Sequence, residues 1–246
     1  MFHVSKLTLA LAATFVVRIV VLTKVEQSQP AHEVHYRKVF ARDIAATFVA
    51  FLAIGPGAEF INRWFAIRPV FPATLMTLPL VVRFGVYLVI ADFGHYWVHR
   101  LMHAPPLWRI HKWHHYPTYM YWLAGVRGSL AQTALVNIPY IFAEGLLDFT
   151  SVWMTPLIVF KNIAQNDWMH LNVRWGTRWL EWIIVTPRYH HIHHSDQPEH
   201  YRANLGALFT IWDRLFGTYV DPETVTRNLT FGIGERVGPV RLAIGI

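Results

Sequence analysis

The chain has 246 residues, of which 54% are hydrophobic and 15% charged, and it carries a formal net charge of +7 with no cysteine. This length fits a single domain over 1–246, and the apolar content is high for a soluble protein. Without cysteine the chain has neither a disulfide framework nor a thiolate metal site. Its basic residues are scattered along the sequence, so we expect them to meet anionic lipid headgroups and expect no nucleic-acid partner.

Apolar residues gather into runs along the chain, at 7–23, 44–61, 73–93, 130–147 and 149–163. About 20 apolar residues span a bilayer, so the first three runs are predicted to be transmembrane helices. The last two are shorter and carry Gln132, Asn137 and Glu144, so they are predicted to form a hairpin at 130–163 that enters the membrane and turns back. The first run contains Arg18 but no recognisable chemistry, and we expect it to be a plain hydrophobic anchor.

The distribution of lysine and arginine between these runs predicts the orientation of the chain. Four basic residues separate the first two runs, and two separate the second from the third. The positive-inside rule then places the first loop and the segments 95–127 and 168–246 on the cytoplasmic face. The predicted fold class is an all-α integral membrane protein, with about three transmembrane helices and a membrane hairpin capped by a cytoplasmic histidine-rich helical part.

The segment 95–115, HYWVHRLMHAPPLWRIHKWHH, holds six histidines in 21 residues. Residues four apart share a helix face, which places His95, His99 and His103 together, and Asp92 falls on that face too. The two prolines that follow end this helix and suit the first turn of a second one. Because of this turn, we expect the histidines of the two helices to face each other.

The second helix carries HKWHH (111–115), whose three histidines also share one face. The H-x-x-H-H spacing returns in TPRYHHIHHSD (186–196), and His170 lies between the clusters in NDWMHLN. The clustered histidines are His95, His99 and His103; His111, His114 and His115; and His190, His191, His193 and His194. We therefore expect three distant parts of the sequence to converge on one site, with His170 as a further candidate.

Neutral imidazole is the commonest nitrogen ligand for iron, zinc and copper. Eight or nine imidazoles are too many for one ion, because tetrahedral zinc takes four ligands and an octahedral metal takes six, so two ions fit the count. A ligating imidazole usually gives its other N–H to a carboxylate or a carbonyl, and the candidate carboxylates are Asp92, Asp196 and Asp213.

Two other classes of protein stay open at this point. A membrane-embedded zinc hydrolase would use histidine-bound zinc to activate water and would place a carboxylate base beside the ligands. A non-catalytic metal-binding or transport protein would carry its histidines within or across the spans rather than at one face. Of the remaining histidines, His32, His35 and His200 are expected to be surface residues.

The order HRLMH (99–103), HKWHH (111–115) and TPRYHHIHH (186–194) resembles the fatty acid hydroxylase / sterol desaturase superfamily of integral-membrane di-iron oxygenases. The segments DFGHYWVHR before the first box, WMHLN between boxes and NLG…WDRLFGTY after the last add to the resemblance, which covers roughly residues 92–219. The histidine spacing is specific for the superfamily and uninformative about the substrate.

This resemblance implies two iron ions, which zinc can replace during purification, held by His99, His103, His111, His114, His115, His190, His193 and His194, with His170 as a ninth ligand. It leaves His95 and His191 outside the ligand set, as neighbours of the ligands or bystanders. The implied reaction is O2-dependent hydroxylation or desaturation of a C–H bond in a membrane lipid, such as a fatty acyl chain or a sterol. We expect no catalytic side chain beyond the metal ligands.

Electrons for that reaction are expected from another protein. The sequence has no His-Pro-Gly-Gly haem motif, flavin motif or cysteine cluster, so the resemblance implies a cytochrome b5-like protein or a ferredoxin with its reductase. The short loops and the absence of a C-terminal dilysine signal favour a bacterial inner membrane over the endoplasmic reticulum.

Overall fold

The computed structural model describes residues 6–48, 77–147 and 160–246, and the regular structure within them is helical. The helices are α1 (Lys6–Ser28), α2 (36–48), α3 (Leu80–Met102), α4 (Pro105–His115), α5 (Leu130–Leu147), α6 (160–170), α7 (Pro187–His193), α8 (Ile211–Leu215) and α9 (Pro239–Ile244). Three-residue 3-10 turns lie at Ala124–Val126, Leu180–Trp182 and Pro198–His200. In these parts of the chain, β pairing is limited to isolated bridges, so the all-α class is confirmed.

The turn between α3 and α4 forms where the two prolines predicted it. Helix α3 ends at Met102, and α4 begins at Pro105, which occupies its first turn. Proline suits this position because the N–H groups of a first helical turn have no partner within the helix. The two histidine-bearing helices are therefore separated by only two residues, His103 and Ala104.

The predicted spans agree with the helices only in part. The third apolar run was expected to be helical from residue 73, but residues 77–79 are not helical and α3 begins at Leu80. The reason is Pro79, since a proline disfavours helical backbone at the residue before it. Residues 49–61 of the second run and the turn of the hairpin at 148–159 lie outside the described residues. Within the described ranges, no helix combines the length and the apolar character needed to cross a membrane.

Helices α3 and α5 pack closely against each other. A side chain at Gly94 would not fit, because its Cβ would lie 2.7 Å from the Cβ of Pro139. The interface is filled by buried Tyr87 and Ala91 of α3 and by Tyr140 of α5. This contact sets the part of α3 that carries the first histidines against α5.

Helices α1 and α2 cover the aromatic segment that follows α4. Tyr121, Trp122 and Leu123 are fully buried in a cluster with residues of both helices. The carboxylate of Glu26 in α1 accepts hydrogen bonds from the backbone N–H of Trp122 at 2.7 Å and of Asn172 at 2.8 Å. This glutamate ties α1 to the two segments that flank the histidine site.

The first run makes a contact beyond what was expected of a plain hydrophobic anchor. Arg18 of α1 forms two hydrogen bonds of 2.6 Å with the carboxylate of Asp167, three residues before His170. A guanidinium suits this place because its planar fork matches both carboxylate oxygens. Helix α1 therefore reaches the segment of α6 that carries a candidate ligand.

Candidate metal centre

All nine histidines that were predicted as ligands are buried and lie together. Their ring nitrogens form two sets, and within each set the nitrogens lie within 4.8 Å of one another. The five-histidine group is His99, His103, His111, His115 and His193. The four-histidine group is His114, His170, His190 and His194. Helix α4 contributes to both groups, so it joins the two halves of the site.

Within the five-histidine group, the Nε2 atoms point inward. His99 Nε2 lies 3.1 Å from His111 Nε2, and His115 Nε2 lies 3.2 Å from the same atom. His193 enters from α7, with its ring centroid 4.6 Å from that of His99. Three separate helices thus place their imidazoles around one point.

The four-histidine group repeats this arrangement around His170. The Nε2 atom of His170 lies 3.2 Å from that of His194, 3.2 Å from that of His190 and 3.4 Å from that of His114. His170 is placed there by α6, whose backbone is π-helical over Asn162–Asp167 just before it. A π-helical turn of this kind frequently marks a functional site.

Hydrogen bonds at the other ring nitrogen fix the tautomer of several imidazoles. Five Nδ1 atoms each lie beside an oxygen that can only accept a hydrogen bond. The pairs are His99 with Leu205 O (2.8 Å), His111 with Gln132 Oε1 (3.0 Å), His114 with Arg127 O (3.0 Å), His170 with Asn166 O (2.6 Å) and His193 with Ala203 O (2.9 Å). A neutral imidazole has one ring proton, so in these five rings it resides on Nδ1 and leaves a lone pair on Nε2.

This proton count shows that the donor set fits metal ions. His99 and His111 aim Nε2 lone pairs at each other across 3.1 Å, and His114 and His170 do so across 3.4 Å, with no proton to share in either pair. The Nε2 atoms of His103 and His193 are also buried without a hydrogen-bond partner. Two nitrogens that bind one ion at about 2.1 Å are about 3.0–3.4 Å apart in octahedral or tetrahedral geometry. A cation in each group would satisfy these lone pairs.

Burial keeps the imidazoles neutral, which is the form that binds metals. Loss of hydration lowers the pKa of His99 to about 4, against the opposing effect of its hydrogen bond to the Leu205 carbonyl. The same cause lowers the pKa of His170 to about 3. Both rings are therefore uncharged near neutral pH and offer their lone pairs without first losing a proton.

Two of the candidate carboxylates contact backbone N–H groups near the imidazoles rather than the imidazoles themselves. Asp92 accepts hydrogen bonds from the backbone N–H of Leu208 at 2.9 Å and of Phe209 at 3.0 Å. Asp213 accepts from the N–H of Leu205 at 2.7 Å and of Gly206 at 2.8 Å. These two buried carboxylates therefore hold the loop whose Leu205 carbonyl accepts from His99. The prediction of direct contact with imidazoles was wrong, because backbone N–H donors satisfy the carboxylates while carbonyl oxygens suffice for a neutral ring N–H.

Asp196 does not hold a segment that orients an imidazole, whereas Asp43, which the sequence did not suggest, does. The side chain of Asp196 accepts from the hydroxyl of Thr230 at 2.7 Å in an exposed position. Asp43 of α2 is fully buried and forms an ion pair with Arg127, whose carbonyl oxygen accepts from His114. Nothing in the sequence around Asp43 distinguishes it from an ordinary charged loop residue.

The other histidines lie outside the two groups. His95 Nδ1 lies 3.1 Å from the hydroxyl of Tyr140, and His191 Nδ1 lies 3.2 Å from Nε2 of His32. His32 is half-buried and His200 is buried against the Ser195 hydroxyl at 2.6 Å, so the surface placement of these two was wrong. The surface placement of His35 is confirmed. No local pattern predicts the burial of His32 and His200, since it depends on contacts with other segments of the chain.

Two cavities adjoin the histidines on different sides. One, of about 230 Å³, is lined by His99, His111, His114 and His190 and extends between α3, α5 and α6. The other, of about 420 Å³, is lined by His103, His115 and His193 together with Trp108 and Tyr201. The first cavity lies among the helices of the predicted spans and the second lies against the C-terminal segment.

Comparison with known proteins agrees with this site. An alkylglycerol monooxygenase of Xenopus tropicalis is 30% identical over 58% of this chain and 32% of its own length. An ornithine lipid hydroxylase of Rhizobium tropici is 34% identical over 58% of this chain and 44% of its own. A probable Delta(7)-sterol 5(6)-desaturase of Neurospora crassa is 28% identical over 57% and 39%. The matched part is thus less than half of each relative, and no solved structure matches the chain.

The family comparison covers the whole of the histidine site. The sequence model of the family "Fatty acid hydroxylase" matches residues 84–218, more than half of the chain. This range contains both histidine groups and the loop that Asp92 and Asp213 hold. The chain belongs to the fatty acid hydroxylase family.

Proposed function

We propose that this protein is an oxidoreductase that uses two iron ions and O2 to hydroxylate, or to desaturate, a C–H bond of a membrane lipid such as a fatty acyl chain or a sterol. The observation that carries the proposal is the convergence of two sets of unprotonated imidazole nitrogens, at separations that suit two ions. The names of the relatives, which include a lipid monooxygenase, a lipid hydroxylase and a sterol desaturase, support the substrate class.

The protein would supply a rigid set of neutral ligands for the two ions. The five-histidine group would hold one ion and the four-histidine group the other. When bound, iron supplies the activation of O2 that breaks an unactivated C–H bond, a step beyond the reach of side-chain acids, bases and nucleophiles. Amide and carbonyl oxygens at Nδ1 keep five of the nine imidazoles oriented toward the centre, so little rearrangement of these five is needed on metal binding.

The substrate would occupy the cavity of about 230 Å³ that four of the predicted metal ligands line. Helices α3, α5 and α6 form its walls, so a chain that arrives from the bilayer could enter between them. Hydroxylation consumes one O2, two electrons and two protons and releases one water, whereas desaturation releases two. We propose a separate electron donor, either a cytochrome b5-like protein or a ferredoxin with its reductase.

We also propose that the chain is a multi-pass membrane protein with this site on the cytoplasmic face, in a bacterial inner membrane rather than the endoplasmic reticulum. Exposed apolar side chains support the membrane contact in this proposal, since large apolar patches mark contact with membranes or partners. Val81 is 75% exposed and lies on α3, and Val16, Val17 and Val20 of α1 are about half exposed.

A zinc hydrolase is less well supported by the geometry. Such an enzyme needs a carboxylate that takes a proton from metal-bound water. The buried carboxylates near the site, Asp92 and Asp213, each accept hydrogen bonds from several N–H donors, and none of these donors is a histidine ring.

The test is to reconstitute the purified protein with Fe²⁺ under anaerobic conditions and to compare lipid extracts of expressing and non-expressing cells grown under ¹⁸O2. We expect close to two irons per chain and a lipid that gains one ¹⁸O or loses two hydrogens. His193→Ala should abolish the product and leave membrane insertion intact, whereas the exposed His35→Ala should change neither. One iron per chain would refute the two-ion site, and a product without O2 dependence would refute the oxidation.

A further inference from the structure

Residues 174–183 form a surface segment whose exposed side chains are mainly aromatic and aliphatic. Trp179 is 83% exposed, Ile183 is 63% exposed and Trp182 is 52% exposed, while Leu180 and Trp175 are each more than one-third exposed. Single apolar side chains on a protein surface are common, but five large ones within nine residues mark a contact surface. We call this segment the aromatic strip.

The one acidic residue of the aromatic strip points into the protein. Glu181 is buried, and its carboxylate accepts two hydrogen bonds of 2.7 Å from the guanidinium of Arg188 and one from the hydroxyl of Thr186. The charges that the strip exposes are those of Arg174 and Arg178. The strip therefore directs its carboxylate inward and its apolar and cationic groups outward, which is the opposite of what contact with water alone would favour.

The aromatic strip is attached to α1 and α3 at the ends of their exposed apolar faces. The indole Nε1 of Trp175 donates a hydrogen bond of 2.8 Å to Gln29, the residue that follows α1. Ile184, directly after the strip, forms an isolated antiparallel bridge with Phe209, whose backbone N–H donates to Asp92 of α3 at 3.0 Å. The exposed valines of α1 and α3 precede these attachment points in the chain. Both helices therefore bring an exposed apolar face up to the strip.

We propose that the aromatic strip docks on the bilayer surface, with Trp179, Trp182 and Ile183 among the outer parts of the acyl chains and with Arg174 and Arg178 at the lipid phosphates. Indole suits this boundary because its ring is apolar and its N–H can reach a headgroup or water. An arginine can keep its alkyl stem in apolar surroundings while its guanidinium binds a phosphate. The inference rests on the membrane placement in the proposed function and adds the surface that meets the headgroups.

Docking of the aromatic strip would also fix the depth of the candidate metal centre. Thr186, whose hydroxyl donates to the inward-facing Glu181 at 2.5 Å, caps α7 by accepting from the backbone N–H of Tyr189. Helix α7 carries His190 and His193, one from each histidine group. One carboxylate therefore joins the strip to a helix that serves both groups, so a docked strip would hold both at a constant depth.

The absence of cysteine from the chain makes this docking directly measurable. In the full chain, Trp179→Cys or Ile183→Cys provides a single attachment point for a nitroxide label, at positions exposed enough for the fold to tolerate the change. In vesicles of phosphatidylcholine and phosphatidylglycerol, the accessibility of the label to O2 and to a water-soluble nickel chelate, measured by electron paramagnetic resonance, gives its depth. We expect both labels to lie about 5–10 Å inside the boundary between headgroups and acyl chains, more accessible to O2 than to the chelate.

The matched control is Arg109→Cys, at an exposed position of α4, which begins beyond the end of α3. A label there should be more accessible to the nickel chelate than to O2. Labels at 179 and 183 that behave like this control would overturn the proposal. Spin–spin broadening between labels at 179 that disappears on dilution with unlabelled protein would assign the strip to a second copy of the chain, and it would overturn the proposal as well.

These measurements require neither metal nor turnover, so they are independent of the proposed oxidation. Inserted labels in a protein that forms no O2-dependent product would refute the oxidation and leave the docking surface standing. An oxidised lipid formed by a protein whose labels at 179 and 183 remain in water would refute the docking surface alone.

Discussion

Substituting Gly125 by alanine should disrupt one half of the metal centre and spare the other. Gly125 lies in the 3-10 turn Ala124–Val126, directly against the ring of His170. A Cβ at this position would overlap the ring and would lie 2.7 Å from its Cε1 atom. The ring cannot turn away freely, since its Nδ1 lies 2.6 Å from the Asn166 carbonyl oxygen.

The expected cost is that of overpacking a filled site, about 1–3 kcal/mol. If this cost falls on the metal-bound state, the four-histidine group binds its ion about 5- to 150-fold more weakly. The five-histidine group does not include His170 and should keep its affinity. The assay is anaerobic titration with Fe²⁺, with metal content measured after dialysis. We expect the wild-type protein to retain two ions and Gly125→Ala to retain one.

A matched control is Gly85→Ala in α3, where a Cβ would meet no heavy atom within 4 Å. This change should leave both ions bound and raise the free energy of unfolding by about 0.5–1 kcal/mol, because alanine favours a helix more than glycine does. Two ions bound with wild-type affinity by Gly125→Ala would show that the placement of His170 does not hold the second ion.

Two further predictions concern buried carboxylates. Asp92→Asn should lower the free energy of unfolding by about 2–4 kcal/mol, because an amide nitrogen cannot accept hydrogen bonds from the N–H groups that now donate to one carboxylate oxygen. Thermal unfolding in detergent measures this change. The control Asp196→Asn should lower the free energy of unfolding by less than about 0.5 kcal/mol. Burial raises the pKa of Glu26 from 4.5 to about 7, so the folded state holds its proton more tightly and stability falls as the pH rises through this window. Glu26→Gln should match the wild type at pH 5 and exceed its stability by up to about 3 kcal/mol at pH 8; equal pH profiles would contradict the assignment.

The parts of the site that could be predicted from sequence are those set by local geometry. The four-residue spacing of His99 and His103 fixes a shared helix face, and the prolines at 105 and 106 end one helix and begin the next. Both rules act over one or two turns of backbone, where the sequence alone determines the outcome. The rare repetition of H-x-x-H-H then identified the distant segment at 186–196 as a partner.

The contacts that orient the ligands could not be predicted, because they depend on the tertiary fold. The carbonyl of Leu205 accepts from His99, although 106 residues separate the two. Backbone carbonyls carry no sequence signal, since every residue has one. The buried positions of His32 and His200 and the role of Asp43 likewise follow from which segments meet, and no local pattern marks them.

Metal binding and the packing of the surrounding loops should therefore be coupled in this protein. Asp43 holds Arg127, whose carbonyl orients His114, and Asp213 holds Leu205, whose carbonyl orients His99. In each case a buried carboxylate gathers donors from a loop, and the loop presents an acceptor to an imidazole. An ion that binds the Nε2 lone pairs stabilises the same ring orientation that the loop requires. By linkage, a change that destabilises the loop must weaken binding of the ion, and removal of the ion must destabilise the loop.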